Sequence, residues 1–346
     1  MATTNVVAVL NAIRQVSKDA NVQAIGEVTQ ANIRATVDGI ADNPVIMNSV
    51  LDTLMDVFCS TQITSKLYNN KLAKLKTEKV PFGNAKRLIN INPAKGKQFD
   101  PDGKTTLARD KEIELQTVYL PYNVHKSYKR SISEDDFRTS FSSDSELKSF
   151  TQGLITSLYG GANKEEYETM IYAWAQAIEK GYAVPIYVKS PFEDPTGFSK
   201  AIQTISKDME YYRTCYNGYA KANPATGGEE QVVVETFTPK EDQLLILRDD
   251  VDIELVYSVL APAFNMSKVQ LDQMTVTIDS FGDDKVYAML VDKAFNQFRN
   301  YKQNNRTQYN AEGEFTNLYM HVKEGINISL LSNAVAFVDE SKKQTV

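Results

Sequence analysis

Apolar residues at helical spacing open the chain. Val6, Val9, Leu10, Ile13 and Val16 recur every three to four positions and predict an amphipathic N-terminal helix. From there to Asn43-Pro44 the periodicity is weak, and the stretch reads as an extended arm. Val50, Leu51, Leu54, Val57 and Phe58 predict a second amphipathic helix. From Lys79 the pattern changes. Val80-Pro81-Phe82-Gly83 is a turn signal, and Leu88 to Asn92 reads as a strand. Pro93 to Thr106 is rich in Pro, Gly, Lys and Asp and has little to bury. Ile113, Leu115, Thr117 and Tyr119 then alternate as a returning strand does. Together these predict one long hairpin. At roughly 3.3 Å per residue, about 20 residues per arm reach on the order of 65 Å, against a radius of gyration of about 20 Å for a compact chain of this length. Such a hairpin cannot lie wholly on its own body: it is floppy, or a neighbour holds it.

Ser143 and Glu146 have capping-box spacing and start the next helix. Leu147, Phe150, Leu154 and Leu158 form one stripe, and Tyr167, Ile171, Trp174 and Ile178 form another on the opposite side. Gly181 is a C-terminal stop. Gly160-Gly161 leaves two alternatives, a break or a continuous helix that buries different faces at its two ends. A long helix, with or without a kink, is the expectation. Pro185 to Pro195 reads as loop. Phe198, Ile202, Ile205, Met209 and Tyr212 predict another helix, and Tyr216 to Glu230 an exposed loop. Val232 to Val234, Leu244 to Leu247, Val276 with Ile278, and Ala288 to Val291 read as strands. A helix is expected through Ile253, Val256, Tyr257 and Leu260. Ile326, Ile328 and Leu330 alternate, and Asn333 to Val338 is a last apolar strand.

The 346 residues suffice for two domains, or for one core with large excursions. No segment approaches 18 consecutive apolar residues, so neither a membrane span nor a membrane partner is expected. The N-terminus lacks the basic and apolar regions of a secretory signal. Two cysteines, Cys59 and Cys215, fit a reducing cytoplasm. Charge changes the picture more. Lys66 to Arg130 holds 15 Lys/Arg and 6 Asp/Glu, a balance of +9, so a net −6 leaves −15 for the remainder (−6 − 9). Three readings follow: a nucleic-acid surface, a basic part of one subunit lying on the acidic part of the next, or a solvated face.

Catalytic chemistry has little to stand on. There is no G-x-x-x-x-G-K-[ST], no G-x-G-x-x-G, no H-E-x-x-H and no paired C-x-x-C. Only His125 and His321 could serve a Ser or Cys nucleophile, and a structural role suits both better. Asp249, Asp250, Asp252 and Glu254 could gather a hard cation, but at a helix start such carboxylates favour the dipole. Glu134-Asp135-Asp136 and Glu165-Glu166 read as turn and helix-surface charges. The expectation is a non-enzyme with no cofactor and no metal. The lysines from Lys71 to Lys97 lack the interleaved aromatics of a base-stacking groove. A pI near 5.2 also speaks against a nucleic-acid-binding module using residues 66–130, which stays as the alternative, with a metal-dependent hydrolase behind it.

The element order resembles that of tailed-phage major capsid proteins with the Hong Kong 97-type fold. Colinear runs are similar to the phi29-like, short-tailed (podophage) members. They are Val80-Pro81-Phe82-Gly83, Lys97-Gln98-Phe99-Asp100, Ile132 to Asp136, Ala263-Phe264-Asn265-Met266, Val276 to Phe281, Leu290-Val291-Asp292-Lys293, His321-Val322 and Ser332 to Val338. The resemblance implies an α+β fold with an N-terminal arm (1–45) and an extended hairpin loop (79–121). It implies a peripheral domain (46–78, 122–190 and 319–338) around a spine helix (144–180), an axial domain (191–318) and a tail (339–346). It implies a virion structural protein that self-assembles, as pentamers and hexamers, into an icosahedral-type viral head enclosing double-stranded DNA. Assembly would take place in the host bacterial cytoplasm, with a scaffolding protein and a portal as further partners. Lys86, Arg87, Lys95, Lys97, Lys104, Arg109 and Lys111 along the hairpin are the candidate inter-subunit contacts. Some relatives carry an immunoglobulin-like domain after the last strand. With eight residues beyond Val338, none is expected here. No motif assigns a Lys–Asn cross-link.

Overall fold

The computed structural model describes residues 6–17, 19–60, 68–77, 85–94, 96, 99, 101, 115–141, 144–223, 233–255 and 275–343. The first elements are α1 (Val6–Val16), α2 (Ala20–Gln23), α3 (Ile33–Ala41), α4 (Pro44–Ser60), β1 (Ala85–Ile91) and β2 (Leu115–Pro121). Next come β3 (Val124–Ser133), α5 (Glu134–Ser140), α6 (Asp144–Glu179), β4 (Val184–Val188), α7 (Pro195–Asp208) and α8 (Tyr219–Ala222). The chain continues with β5 (Gln243–Arg248), α9 (Asp249–Leu255), β6 (Thr275–Ile278), β7 (Val286–Asp292), β8 (Asn296–Asn310), β9 (Phe315–Ile328) and β10 (Ala334–Asp339). They fall into two compact units. One comprises Met1–Ala73, Val124–Tyr167 and Tyr301–Glu324; the other comprises Lys74–Asn123, Glu168–Asn300 and Gly325–Val346.

In the first unit the N-terminal helices build a core. Leu10, Ile13, Val22, Val37, Ile40, Leu51 and Leu54 pack with Ile132, Phe137, Leu154 and Leu318. The extended arm expected before Asn43 is therefore corrected: the stretch folds into α2 and α3. α2, at four residues, is too short to show a 3.6-residue period, while α3 carries one in Ile33, Val37 and Ile40; local chemistry marks the helix starts. The Asp19 side chain caps α2, and Asn43 Oδ1 accepts from Val45 N at 3.1 Å ahead of α4, with Pro44 at its first position. Asn11 ties α1 to the following segment by a reciprocal pair, Nδ2 to Val28 O (2.9 Å) and Val28 N to Oδ1 (3.1 Å). A three-stranded sheet in the order β3-β9-β8 completes this unit, with Val124 opposite Glu324 and Ser133 opposite Phe315. One face lies against α6 through Tyr128, Met320 and Val322, which meet Leu158, Tyr159 and Ala162. Glu165 on that helix accepts from Lys126 Nζ (2.7 Å) and the Tyr128 hydroxyl (3.2 Å). The lysine's hydrogen bond, first of all, holds the Glu165 carboxyl below its usual range. α6 runs unbroken through Gly160-Gly161. Ser143 of the expected capping box lies outside the described residues.

The second unit is built on a five-stranded sheet in the order β4-β10-β7-β5-β6. β10 runs parallel to β4 and antiparallel to β7, and β5 runs antiparallel to β7 and parallel to β6. Phe198, Leu247, Val251, Tyr287, Leu290, Val335 and Phe337 form its core. Of residues 319–338, expected with the spine helix, Met320 and Val322 lie against it, while Ala334 to Val338 are buried in a sheet that joins β4 to the strands of 243–292. An unbroken apolar run needs cover on both faces, and an interior strand supplies it. Residues 185–188, expected as the start of a loop, belong to the edge strand β4, a position that tolerates Pro185. Val233 and Val234, expected as strand, are irregular, and Val232 lies outside the described residues. So do Val256, Tyr257 and Leu260 of the helix expected beyond Ile253. α6 ends as its sequence predicts: Gly181 takes φ 69°, Gly181 N donates to Ile178 O (3.0 Å) and Tyr182 N to Ala177 O (2.8 Å), a Schellman stop.

Candidate assembly surfaces

The hairpin root belongs to the second unit. β1 and β2 pair antiparallel from Ala85 opposite Pro121 to Ile91 opposite Leu115. Alternation gives this ribbon two faces. Lys86, Leu88, Asn90, Gln116, Val118 and Leu120 face one way, with Gln116 and Leu120 buried. Lys86 Nζ donates to Gln297 Oε1 (2.9 Å), and Asn92 bridges to Val233 O (2.6 Å) and Glu235 N (3.0 Å). The return leg is clipped further. Asn123 exchanges a reciprocal pair with Ile326, both 2.8 Å, and Asn327 Nδ2 donates to Pro121 O (2.8 Å). Arg299, buried, donates Nη2 to Leu120 O (2.8 Å) and lies over the Tyr122 ring at 5.1 Å. Burial pushes its pKa down; burial and then the charge of Arg299 lower that of Lys86.

The opposite face is bare. Ile89 is 48 %, Ile91 57 %, Leu115 47 % and Tyr119 63 % exposed, and the register puts them together with Arg87 and Thr117. Of the seven candidate contact residues, Lys86 is turned to its own body and Arg87 sits on the bare face opposite Tyr119. Lys95, Lys97, Lys104, Arg109 and Lys111 lie outside the described residues. The apolar half of this face is marked in the sequence by the i, i+2 alternation of Ile89 with Ile91 and of Leu115, Thr117 and Tyr119 rather than by charge.

The chemical candidates disperse. Asp249, Asp250 and Asp252 occupy the first turn of α9, and Asp250 pairs with Arg248 at 2.6 Å. No group of His, Cys, Asp or Glu among the described residues could hold a metal ion. His125 and His321 lie on adjacent strands with ring centroids 6.5 Å apart. The basic stretch 66–130 is not one platform: Lys126 pairs with Glu165, Arg130 Nε donates to Ser157, and Lys86 is turned to Gln297.

The model of the "Phi29-like phage major capsid protein" family matches residues 10–338. The chain belongs to this family. It is 27 % identical over 336 residues to the major capsid protein of Bacillus phage PZA, covering 95 % of this chain and 72 % of that protein. It is 27 % identical over 334 residues to that of Bacillus phage B103, with the same coverage. Among solved structures it shares its fold with a chain of the Staphylococcus phage Andhra capsid (TM-score 0.63, 13 % identity, 81 % of this chain and 87 % of that one). A chain from the structure of the head fiber and inner core protein of bacteriophage P68 is similar (TM-score 0.64, 14 % identity, the same coverage). As a phage major capsid protein the chain is a structural component of the virion, and it forms the head shell. Its functional sites are surfaces for copies of itself.

Proposed function

We propose that the chain is a Hong Kong 97-type subunit of an icosahedral-type head that encloses double-stranded DNA and is assembled in the host cytoplasm with a scaffolding protein and a portal. In this reading α6 is the spine helix of a peripheral domain formed by the unit that carries β3, β8 and β9. The five-stranded unit is the axial domain that meets its copies in pentamers and hexamers. Residues 79–121 are the extended loop, which lies over a neighbouring subunit.

One observation carries the reading. The hairpin root is fixed to its own unit by one face and presents Ile89, Ile91, Leu115 and Tyr119 to solvent by the other. Four large apolar side chains on a two-stranded ribbon are costly in water and suit a protein partner. The contact is then apolar at the root, with Arg87, Lys95, Lys97, Lys104, Arg109 and Lys111 adding charge along the loop. The test replaces residues 93–114 with a short Gly-Ser turn, keeping the root and Asn92. The expected product is a soluble monomer that melts with the unassembled wild type and gives no rings or shells by negative-stain electron microscopy, where wild type gives them. Shells from the variant would refute the clamp, and global unfolding would make the tip part of the core.

A further inference from the structure

The outer face of the three-stranded sheet gathers positive charge. Register places His125, Ser127, Lys129 and Ser131 of β3 beside Lys323, His321, Tyr319 and Asn317 of β9, on the side away from α6. Lys302, Asn304 and Arg306 of β8 line the same shallow groove as His125, His321 and Lys323. Lys129, Lys302 and Arg306 are exposed. The face therefore gathers four permanent cations, and none of its residues from these three strands is Asp or Glu. Two of the cations are held in place: Lys129 lies over the Tyr319 ring at 5.7 Å, and Lys323 over Tyr301 at 4.8 Å. His321 stacks on Tyr319 with 9° between the planes. Like charges side by side on a sheet repel. An anionic surface laid over this face would relieve that repulsion.

We infer that this basic sheet face is a contact surface for an acidic surface of a second copy of the chain, distinct from the hairpin clamp. The inference rests on the shell reading above. The charge balance supports a second copy over nucleic acid. The chain carries −6 in all, so with +4 on this face the rest of each copy carries −10 (−6 − 4). A copy is thus an anionic partner that a shell supplies at fixed geometry, and a head-to-tail contact of unlike faces repeats around a closed ring. The same net charge repels a polyanion from the molecule as a whole. Tyr301 and Tyr319, each with an ammonium group over its ring, also suit a protein partner, because aromatic residues are enriched where proteins meet.

The test measures the critical concentration for assembly of the full chain by sedimentation and electron microscopy, at sodium chloride from about 50 to 500 mM, a range over which screening shortens markedly. The variants are K302E/R306E, the neutral K302Q/R306Q, and K302R/R306K, which preserves charge. Each is first melted to check that it folds like wild type. Wild type should assemble less readily as salt rises. The reversal variant should need at least about tenfold more protein at low salt, as expected when several exposed pairs are lost or inverted in every subunit. The neutral pair should fall between, and the charge-preserving pair should match wild type. If the reversal variant melts early, the neutral pair decides by the same comparison. Variants that assemble at the wild-type concentration across the salt range overturn the inference. So do variants that assemble normally but no longer retain a labelled DNA duplex, which would make the face a phosphate surface. Wild-type chain that never associates would refute the shell reading itself, and this contact with it.

Discussion

Trp174 is the sharpest probe of the second unit, because its burial and its hydrogen bond can be perturbed separately. The indole is 0 % exposed, it packs 5.9 Å from the Phe298 ring, and its Nε1–H donates to Asn296 Oδ1 at 2.8 Å. Removing a buried Trp costs about 3–5 kcal/mol through lost burial and the cavity left behind. Asn296 is itself buried, so W174A also orphans a carbonyl, at about 1–3 kcal/mol. For a unit of about 200 residues each kcal/mol lowers the melting point by roughly 2–4 °C. The expected drop is then about 8–30 °C, read by far-ultraviolet circular dichroism of unassembled protein. W174F keeps most of the ring and loses the donor, so it should cost about 1–3 kcal/mol. Its effect should not add to that of N296A, because both remove the same bond. In wild type the single tryptophan should emit to the blue and shift red on unfolding. A W174A protein that melts within two or so degrees of wild type, or W174F and N296A effects that simply add, would show that the side chain is not buried against Asn296.

Deleting residues 331–346 should give insoluble or unfolded protein, since β10 is an interior strand; a soluble truncation with a cooperative melt would contradict the sheet order. G218A should cost about 1–3 kcal/mol, because a Cβ there would stand 2.8 Å from the Tyr182 backbone; an unchanged melting point would refute that packing. Arg213, and then the Tyr216 hydroxyl, hold the Asp208 carboxyl below its usual range. Its folded pKa is the lower one, so its contribution is complete above the unfolded value and disappears as pH falls through the folded one. D208N should flatten that acid loss in melts taken from about pH 6 to 2, and equal slopes would dismiss the pairing. N123A removes both bonds to Ile326 and should cost about 1–3 kcal/mol, with increased protease cleavage at the hairpin root.

What the sequence revealed depends on how strongly burial alternates along each element. α6 was legible almost to the residue, because Leu154, Leu158 and Trp174 carry a helical period and Gly181 carries the stop. β5, β7 and β10 were legible as apolar runs, but not their partners. An interior strand looks the same whichever strands flank it, so the run 334–338 does not reveal that it lies between β4 and β7. β3 and β8 were missed outright. Asn296 to Asn310 contains Asn300, Gln303, Asn304, Asn305 and Gln308, and one side of the alternation of Val124 to Ser133 is His, Ser and Lys. On its inward side Lys126 and Arg130, which face Glu165 and Ser157 of the helix, interrupt Val124, Tyr128 and Ile132. A strand whose covered face is partly satisfied by charge has its hydrophobic period broken.

The assembly surfaces were hidden for a related reason. Charge counting located a basic stretch by its position in the chain, whereas the fold sorts charge by strand parity. Lys86 and Arg87 are neighbours in sequence and face opposite ways, one to Gln297 and the other to the bare side of the ribbon. Lys126 and Lys129, three residues apart in β3, part in the same manner: one pairs with Glu165, the other lies on the outer sheet face over Tyr319. Among the described residues of 66–130, Lys86 and Lys126 thus make bonds inside their own unit, whereas Arg87 and Lys129 stand on outward faces. Lys129 is joined there by Lys302, Arg306 and Lys323, which lie nearly two hundred residues away in sequence and on adjacent strands in the fold.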